Sequence, residues 1–422
     1  MSAIAANENR LEHIDLVRGY ALLGVLLMNI QYWFRNPPQL YWGGTGHPFP
    51  GMVNTVTDQV LKVWFEGKSI TLFAMLFAIG LCMQRDSVVA KGLKWGAYSF
   101  RRLGIMAGFG ALHVLLFWNG DVLHQYAITA LLILPFLKRT PKTLSWWLGT
   151  ILGLGLLALL IFSMITAFKP PPPVGGGAGA GDRQAWAQAL IQGYSQHSWF
   201  AVLRTRLWDW FRMQRMMLPG VPIFLFITFL TGLWIWSRGI LQDPSAHRPK
   251  LGRTAVWLLG IGVATNLLAA YSGPIFQYLR GHWGWAKVVL PFLGFSQVFG
   301  QLLLATGIGA GLVWLWLDPR WRERLRPFTY VGRMGFTNYI LQSAVCTFIF
   351  YGWGLGLYNR VGPAIGTLIG LGLFALQVPF SRWWLQRFHF GPLEWLWRAL
   401  TYGHASRFRR QPVLAVEEPA QA

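Results

Sequence analysis

Residues 111–132 read ALHVLLFWNGDVLHQYAITALL. Two apolar runs flank the short break Asn119-Gly120-Asp121. Asn, Gly and Asp are turn formers, and continuous apolar runs of this kind belong to buried or membrane helices. The stretch therefore predicts a tight antiparallel helical hairpin in a membrane. It also carries ionisable groups where hydrocarbon is expected. His113 lies inside the first run, and Asp121 and His124 open the second.

The rest of the chain has the same character. Of its 422 residues, 54% are hydrophobic and 12% are charged, against about 25% charged in soluble domains. Apolar runs of roughly 20 residues recur, the length of a helix that crosses a ~30 Å hydrocarbon core. We read ten spans, near 14–33, 68–84, 99–118, 121–137, 144–167, 218–237, 254–273, 294–317, 332–352 and 361–380. The expected fold is all-α, a polytopic integral membrane helix bundle. The N-terminal segment has no basic region and no small-residue cleavage site before its apolar run. That run is expected to be a retained span, not a signal peptide.

Basic residues give the orientation. Arg85, Lys91 and Lys94, with Arg101 and Arg102 at the start of span three, mark the second loop, and Lys138, Arg139 and Lys142 follow span four. Arg238, Arg248, Lys250 and Arg253 follow span six, Arg320, Arg322, Arg324, Arg326 and Arg333 follow span eight, and Arg382, Arg387, Arg407, Arg409 and Arg410 follow span ten. Such loops alternate with loops poor in Lys and Arg, so both termini are expected in the cytoplasm of a bacterial cell, beneath its inner membrane. The net charge of +22 thus follows from topology, and no nucleic-acid recognition motif accompanies it.

One transmembrane helical domain is expected over 1–403, followed by a basic and then flexible tail over 404–422. Residues 168–217 form a long extracytoplasmic loop within it. Its Pro/Gly linker, KPPPPVGGGAGAGDR, leads into a Trp-rich amphipathic region with Arg204, Arg206, Arg212 and Arg215. Long translocated loops escape the charge bias. This one reads either as a brace lying in the interface or as a basic surface facing a substrate. Cys82 and Cys346 lie in apolar runs without metal-ligand spacing, so no metal site or disulfide framework is expected. There is no Walker loop and no evident inverted repeat.

Several polar groups lie at membrane depth, where they mark function by default. Asp15, Arg18 and Asn29 share one face of span one. Arg18 either snorkels beside Asp15 or meets a phosphate-bearing donor, which suits guanidinium geometry. Arg101 and Arg102 begin span three, and His113 lies 11 residues beyond Arg102, about 16 Å along the helix. Asp121 reads either as a simple cap of span four or as a carboxylate that orients His113, and His113 itself either as an interhelical hydrogen-bonding group or as a base. His124 and Gln125 add polar groups at the same mouth. Gln297 with Gln301, and Asn338 with Gln342, are pairs four residues apart on one helical face. They read as interhelical hydrogen-bond donors and acceptors or as cavity lining. Glu66 and Lys68 read as an interface anchor.

Four blocks resemble the YeiB-like bacterial family, catalogued as domain of unknown function 418. They are IDLVRGYALLGVLLMN (14–29), GALHVLLFWNGDVLHQYA (110–127), GRMGFTNYILQS (332–343) and FGPLEWLWRALTYG (390–403). That family is in turn similar to the transmembrane acyltransferases that include heparan-glucosaminide acetyltransferases and acyltransferase-three proteins. The shared element is D-x-x-R-G, here Asp15, Arg18 and Gly19. In that group an acyl-CoA binds from the cytoplasmic side, and an intramembrane histidine serves transfer to a sugar or glycan on the other side. The resemblance implies Arg18 near the donor and His113 as the base.

The expected function is therefore an acyltransferase using acyl-CoA as co-substrate, with a sugar, glycan or lipid acceptor. His113 would deprotonate the acceptor and Asp121 would orient His113. Arg18, Arg101 and Arg102 would attract donor phosphates, and Asn338 and Gln342 would position the carbonyl. The rival readings are a transporter or flippase of an amphiphilic or anionic metabolite, and a structural or assembly protein.

Overall fold

The computed structural model describes residues 11–37, 49–167, 180–217, 220–270 and 286–410, with the backbone alone over 286–298 and at a few flanking positions. Among them every named element is helical, and the one extended pairing is an isolated bridge between Phe388 and Arg409. The helices run α1 Glu12–Asn29, α2 Met52–Trp64, α3 Lys68–Ala90, α4 Trp95–Leu116, α5 Leu123–Ile133, α6 Pro141–Ala167, α7 Ala180–Tyr194 and α8 Trp199–Met217. They continue as α9 Val221–Ser237, α10 Arg248–Ala270, α11 Ala286–Trp316, α12 Pro319–Arg333, α13 Gly335–Phe350, α14 Pro363–Arg387 and α15 Pro392–Tyr402.

The protein is a helical, multi-pass membrane protein. Six helical stretches among the described residues are long and apolar enough to cross a bilayer: Glu12–Phe34, Met52–Ala90, Pro141–Phe162, Arg248–Leu268, Phe299–Trp316 and Pro363–Arg387. The pair Trp199–Met216 and Val221–Ser237 meets the same standard only when taken together. A helix also stands at each of the other expected places, but two of these are short. α5 has 11 residues and α13 has 16, so α5 rises only about 16 Å. It tightens into a 3-10 turn at Leu134–Phe136, where Pro135 removes a backbone donor.

Segments expected as loops contain helices that hydropathy does not reveal. α2 lies between the first two expected spans, and α12 lies in the arginine-rich segment after span eight. Both are strongly amphipathic, so neither resembles a uniformly apolar span. Asp318 starts α12 by accepting the Arg320 N–H at 2.9 Å, with Pro319 in the first turn. Arg382 and Arg387, expected beyond the last span, instead end α14.

α1 is the central strut. Its Gly19 faces the Phe328 carbonyl of α12, and a Cβ there would lie 2.0 Å from that oxygen. Reciprocally, a Cβ on Gly332 would lie 1.9 Å from the Asp15 carbonyl oxygen. The two backbones therefore touch, and glycine at both positions is what permits the approach. Two of the family-like sequence blocks, D-x-x-R-G and GRMG, thus form a single joint. α1 then passes into a π turn at Ile30–Phe34, which presents Tyr32 and Trp33 to a cavity.

The buried core runs from α1 through α3 and α4 to α13. It includes Leu22, Leu26 and Phe34, then Ala78 and Leu81, then Met106, Trp118 and Tyr126, and finally Tyr339 and Phe350. The N-terminus of α13 is held from outside. Glu394 of α15 accepts the backbone N–H groups of Phe336 at 2.7 Å and Thr337 at 3.0 Å, and also the Thr337 hydroxyl. A carboxylate suits the free N–H groups and positive dipole end of that helix.

Candidate functional site: a histidine–aspartate–histidine cluster beside a cavity

The turn Asn119-Gly120-Asp121 folds back as expected and joins α4 to α5. Asp121 Oδ1 lies 2.9 Å from His113 Nδ1, and Oδ2 lies 2.9 Å from His124 Nδ1. Oδ2 also accepts the His124 backbone N–H at 3.2 Å, so the same carboxylate caps α5. Gly110 of α4 makes room for it. A Cβ there would lie 2.7 Å from Asp121 Oδ2 and 2.8 Å from the His124 nitrogen.

An ionised carboxylate only accepts hydrogen bonds, so both Nδ1 atoms donate to it. In a neutral imidazole that leaves Nε2 as a bare lone pair. The Nε2 atoms of His113 and His124 are buried and have no hydrogen-bond partner among the described residues. The His113 side chain is completely buried, with the rings of Tyr339 at 5.1 Å, Phe117 at 6.1 Å and Trp118 at 6.2 Å between centroids. His124 is 17% exposed and meets the Trp210 ring at 5.8 Å.

A cavity of about 930 Å³ opens beside this cluster. Asp121 and Gln125 lie in its wall, as do Asn29, Trp118 and Asn119. His113 and His124 do not line it and stand behind Asp121. The lining also includes Asp58, Lys62 and Glu66, charged groups whose partnership hydropathy did not suggest. Asp58 pairs with Lys62 at 2.7 Å and accepts from Gln31 at 3.1 Å. Lys68 donates to the Lys62 carbonyl at 2.8 Å, and Glu66 lines the cavity between them in sequence. The one sequence signal was the i, i+4 spacing of Asp58 and Lys62 on the amphipathic α2.

The segment over 180–217 closes onto the turn. Asp209 of α8 accepts from Asn119 at 2.6 Å, Trp186 at 3.0 Å and Tyr194 at 3.3 Å. Arg206, also buried, donates to the Leu115 carbonyl at the end of α4 at 2.8 Å. Arg212 lies over the Trp186 ring at 4.7 Å. Two of the four expected basic residues therefore serve the docking of the segment.

The other expected residues lie apart from the cavity. Arg18 pairs with Asp15 at 2.9 Å near the Gly19–Gly332 joint. Arg102 is buried, with its guanidinium 3.7 Å from the Trp397 ring centroid of α15. Arg101 is exposed and lies near Gly403. Asn338 and Gln342 do not line the cavity and belong to an amide ladder between helices. Asn338 donates to the Val331 carbonyl at 3.1 Å and to Ser381 at 3.0 Å. Gln342 donates to Gln377 at 2.9 Å, and Gln377 donates to the Asn338 carbonyl at 3.1 Å. Their amide nitrogens are thus paired between helices, while Asn338 Oδ1 and Gln342 Oε1 are buried with no hydrogen-bond partner among the described residues. Gln301 packs against Gly67 at the α2–α3 turn, and Gln297 lies outside the described residues. No cluster of three or more His, Cys, Asp or Glu suited to a metal occurs among the described residues.

These features define a polytopic helical membrane protein with a buried ionisable cluster beside a large cavity of mixed polar and apolar lining. The chain belongs to the YeiB-like family: residues 235–404 match the family described as Protein of unknown function (DUF418). It is 32% identical over 418 residues to the uncharacterized protein YxaH of Bacillus subtilis (strain 168), covering 93% of this chain and 94% of that one. It is 29% identical to the uncharacterized protein YeiB of Escherichia coli (strain K12), covering 92% and 95%. An uncharacterized 39.9 kDa protein from the amylase 3' region of Bacillus acidopullulyticus is 27% identical, with 99% of both chains covered.

Proposed function

We propose that this protein is a bacterial inner-membrane acyltransferase that passes an acyl group from a cytoplasmic acyl-CoA to an extracytoplasmic sugar, glycan or lipid. In this reading it has ten spans, with both termini cytoplasmic, and the cavity opens outward to receive the acceptor. The observation that carries it is the bonding of His113 Nδ1 to Asp121, with Nε2 left unpaired. That is the geometry of an oriented general base. Trp118 lines the cavity and also meets the His113 ring, so it links the cavity wall to the imidazole.

In the reaction, Nε2 takes the proton of the acceptor hydroxyl or amine as that atom bonds to the thioester carbonyl carbon. The carbon–sulfur bond then breaks, and the leaving thiolate receives the proton from the imidazolium. Arg101, exposed at the far end of α4, would meet donor phosphates first, and Arg18 would do so only by exchanging its bond to Asp15.

The test is incubation of purified protein in proteoliposomes with radiolabelled acetyl-CoA and a glycan or lipid extract. Wild type transfers label, and His113→Ala does not while keeping its expression level and melting temperature. Equal transfer by the variant overturns the mechanism. A second reading, a transporter or flippase of an amphiphilic or anionic metabolite, is favoured by one observation, that Asp121 and Gln125 line the cavity while neither histidine does. Movement of label across the membrane without consumption of acyl-CoA would select it.

A further inference from the structure

A second groove, of about 550 Å³, lies between α1, α3, α9, α10 and α11. Its floor is aliphatic, with Val17, Leu72, Met75, Ile79, Leu302 and Val313 among the lining residues. Its few polar walls are threonines, and two of these are already bonded within their own helices, Thr231 to Ile227 at 2.8 Å and Thr306 to Leu302 at 2.8 Å. The interior therefore offers nothing to a polar ligand.

One end differs. Arg238 and Lys250 line the groove there, both exposed, and no acidic side chain lines it among the described residues. The Arg238 guanidinium lies over the Trp234 ring at 4.8 Å, which holds it at the groove mouth. From Leu302 to Val313 the groove follows α11 for 11 residues, about 16 Å. That is about half of a ~30 Å hydrocarbon core, the depth of one leaflet. An apolar slot one leaflet deep with two cations at its mouth matches an acyl chain below a phosphate.

We infer that this groove binds an anionic phospholipid, with one acyl chain along α11 and the headgroup phosphate between Arg238 and Lys250. The site is separate from the His113–Asp121 cavity, since the two share no lining residue.

The test is native mass spectrometry of the full chain, titrated with dioleoyl phosphatidylglycerol or dioleoyl phosphatidylcholine. Wild type retains the anionic lipid preferentially. The double variant Arg238→Gln/Lys250→Gln should lower that retention by about thirtyfold, the loss expected for two charge contacts at a membrane surface. A control, Arg320→Gln/Arg324→Gln, removes equal charge from exposed positions of α12 and should leave retention unchanged. All four positions are exposed, so folding is preserved, and a melting curve verifies it. Equal retention of the two lipids by wild type overturns the proposal. So does equal loss in the control, or displacement of the phospholipid by stoichiometric palmitoyl-CoA, which would make the groove a donor site.

Discussion

His113 and Asp121 stand eight residues apart in sequence yet meet at 2.9 Å, with both side chains closed to solvent. Hydrogen bonds to an ionised group contribute about 1.5–3 kcal/mol each. Asp121→Ala leaves the buried His113 Nδ1, the partly buried His124 Nδ1 and one backbone N–H without an acceptor. We expect a loss of about 3 kcal/mol in stability, read as a lower melting temperature in detergent. Asp121→Asn retains one carbonyl oxygen and should lose less. An Asp121→Ala protein as stable as wild type would mean that the carboxylate does not hold the hairpin.

Gly110 separates packing from helix propensity. Its neighbours on α4, Gly104 and Gly108, have open space where a Cβ would go. Ala at those two positions should leave stability unchanged or raise it by up to about 1 kcal/mol. Gly110→Ala drives a methyl into the Asp121 carboxylate and the α5 backbone, and should destabilise by about 1–3 kcal/mol. Melting temperatures of the three single variants decide it, and a uniform response would refute the close contact.

The amide ladder predicts energetic coupling between helices. Gln342→Ala and Gln377→Ala remove the two ends of one hydrogen bond between α13 and α14. A double-mutant cycle should give a coupling of about 0.6 kcal/mol, the usual size for interhelical hydrogen bonds in membranes. Zero coupling, with substrate binding lost instead, would return Gln342 to a ligand-binding role.

The α13–α15 joint should depend on pH through Glu394. Burial pushes its carboxyl above the ordinary glutamate value, and the hydrogen bonds from Thr337 and Phe336 oppose this without cancelling it. The folded chain then keeps this proton where the unfolded chain has lost it. The stabilisation is full below the unfolded value and falls as pH rises through the raised folded one. Glu394→Gln cannot titrate. The melting temperature of wild type minus that of the variant should therefore decrease as pH rises above the ordinary glutamate range. His389 is shifted the other way, downward, by burial and then by Arg410, Arg407 and Arg333. It is present in both proteins and cancels in the difference. A flat difference would show that Glu394 is ionised throughout.

Much of the fold was legible because apolar run length is a one-dimensional property. The α4–α5 hairpin, the place of α1 and the closeness of His113 to Asp121 followed from local spacing. α2, α12 and α15 were missed because an amphipathic helix at a membrane protein's edge has neither a long apolar run nor a distinctive loop composition. The histidine site was legible for the same local reason, as eight residues and one turn join its members. Asp209 was not, because it reaches Asn119 from 90 residues away through a docked segment that charge counting assigned only to the outside.

The amino-acid order alone established a helical membrane chain, its family-like blocks and a buried acid–histidine pair, since hydrophobic length and short-range spacing need no partners. Burial and pairing were decided elsewhere. Whether Arg102 meets solvent or an indole, whether Asn338 faces a cavity or Ser381, and whether His113 lines the cavity or stands behind Asp121 all depend on which distant helix packs alongside. Those contacts join residues tens to hundreds of positions apart, and the periodicity of any one helix carries no record of its neighbour.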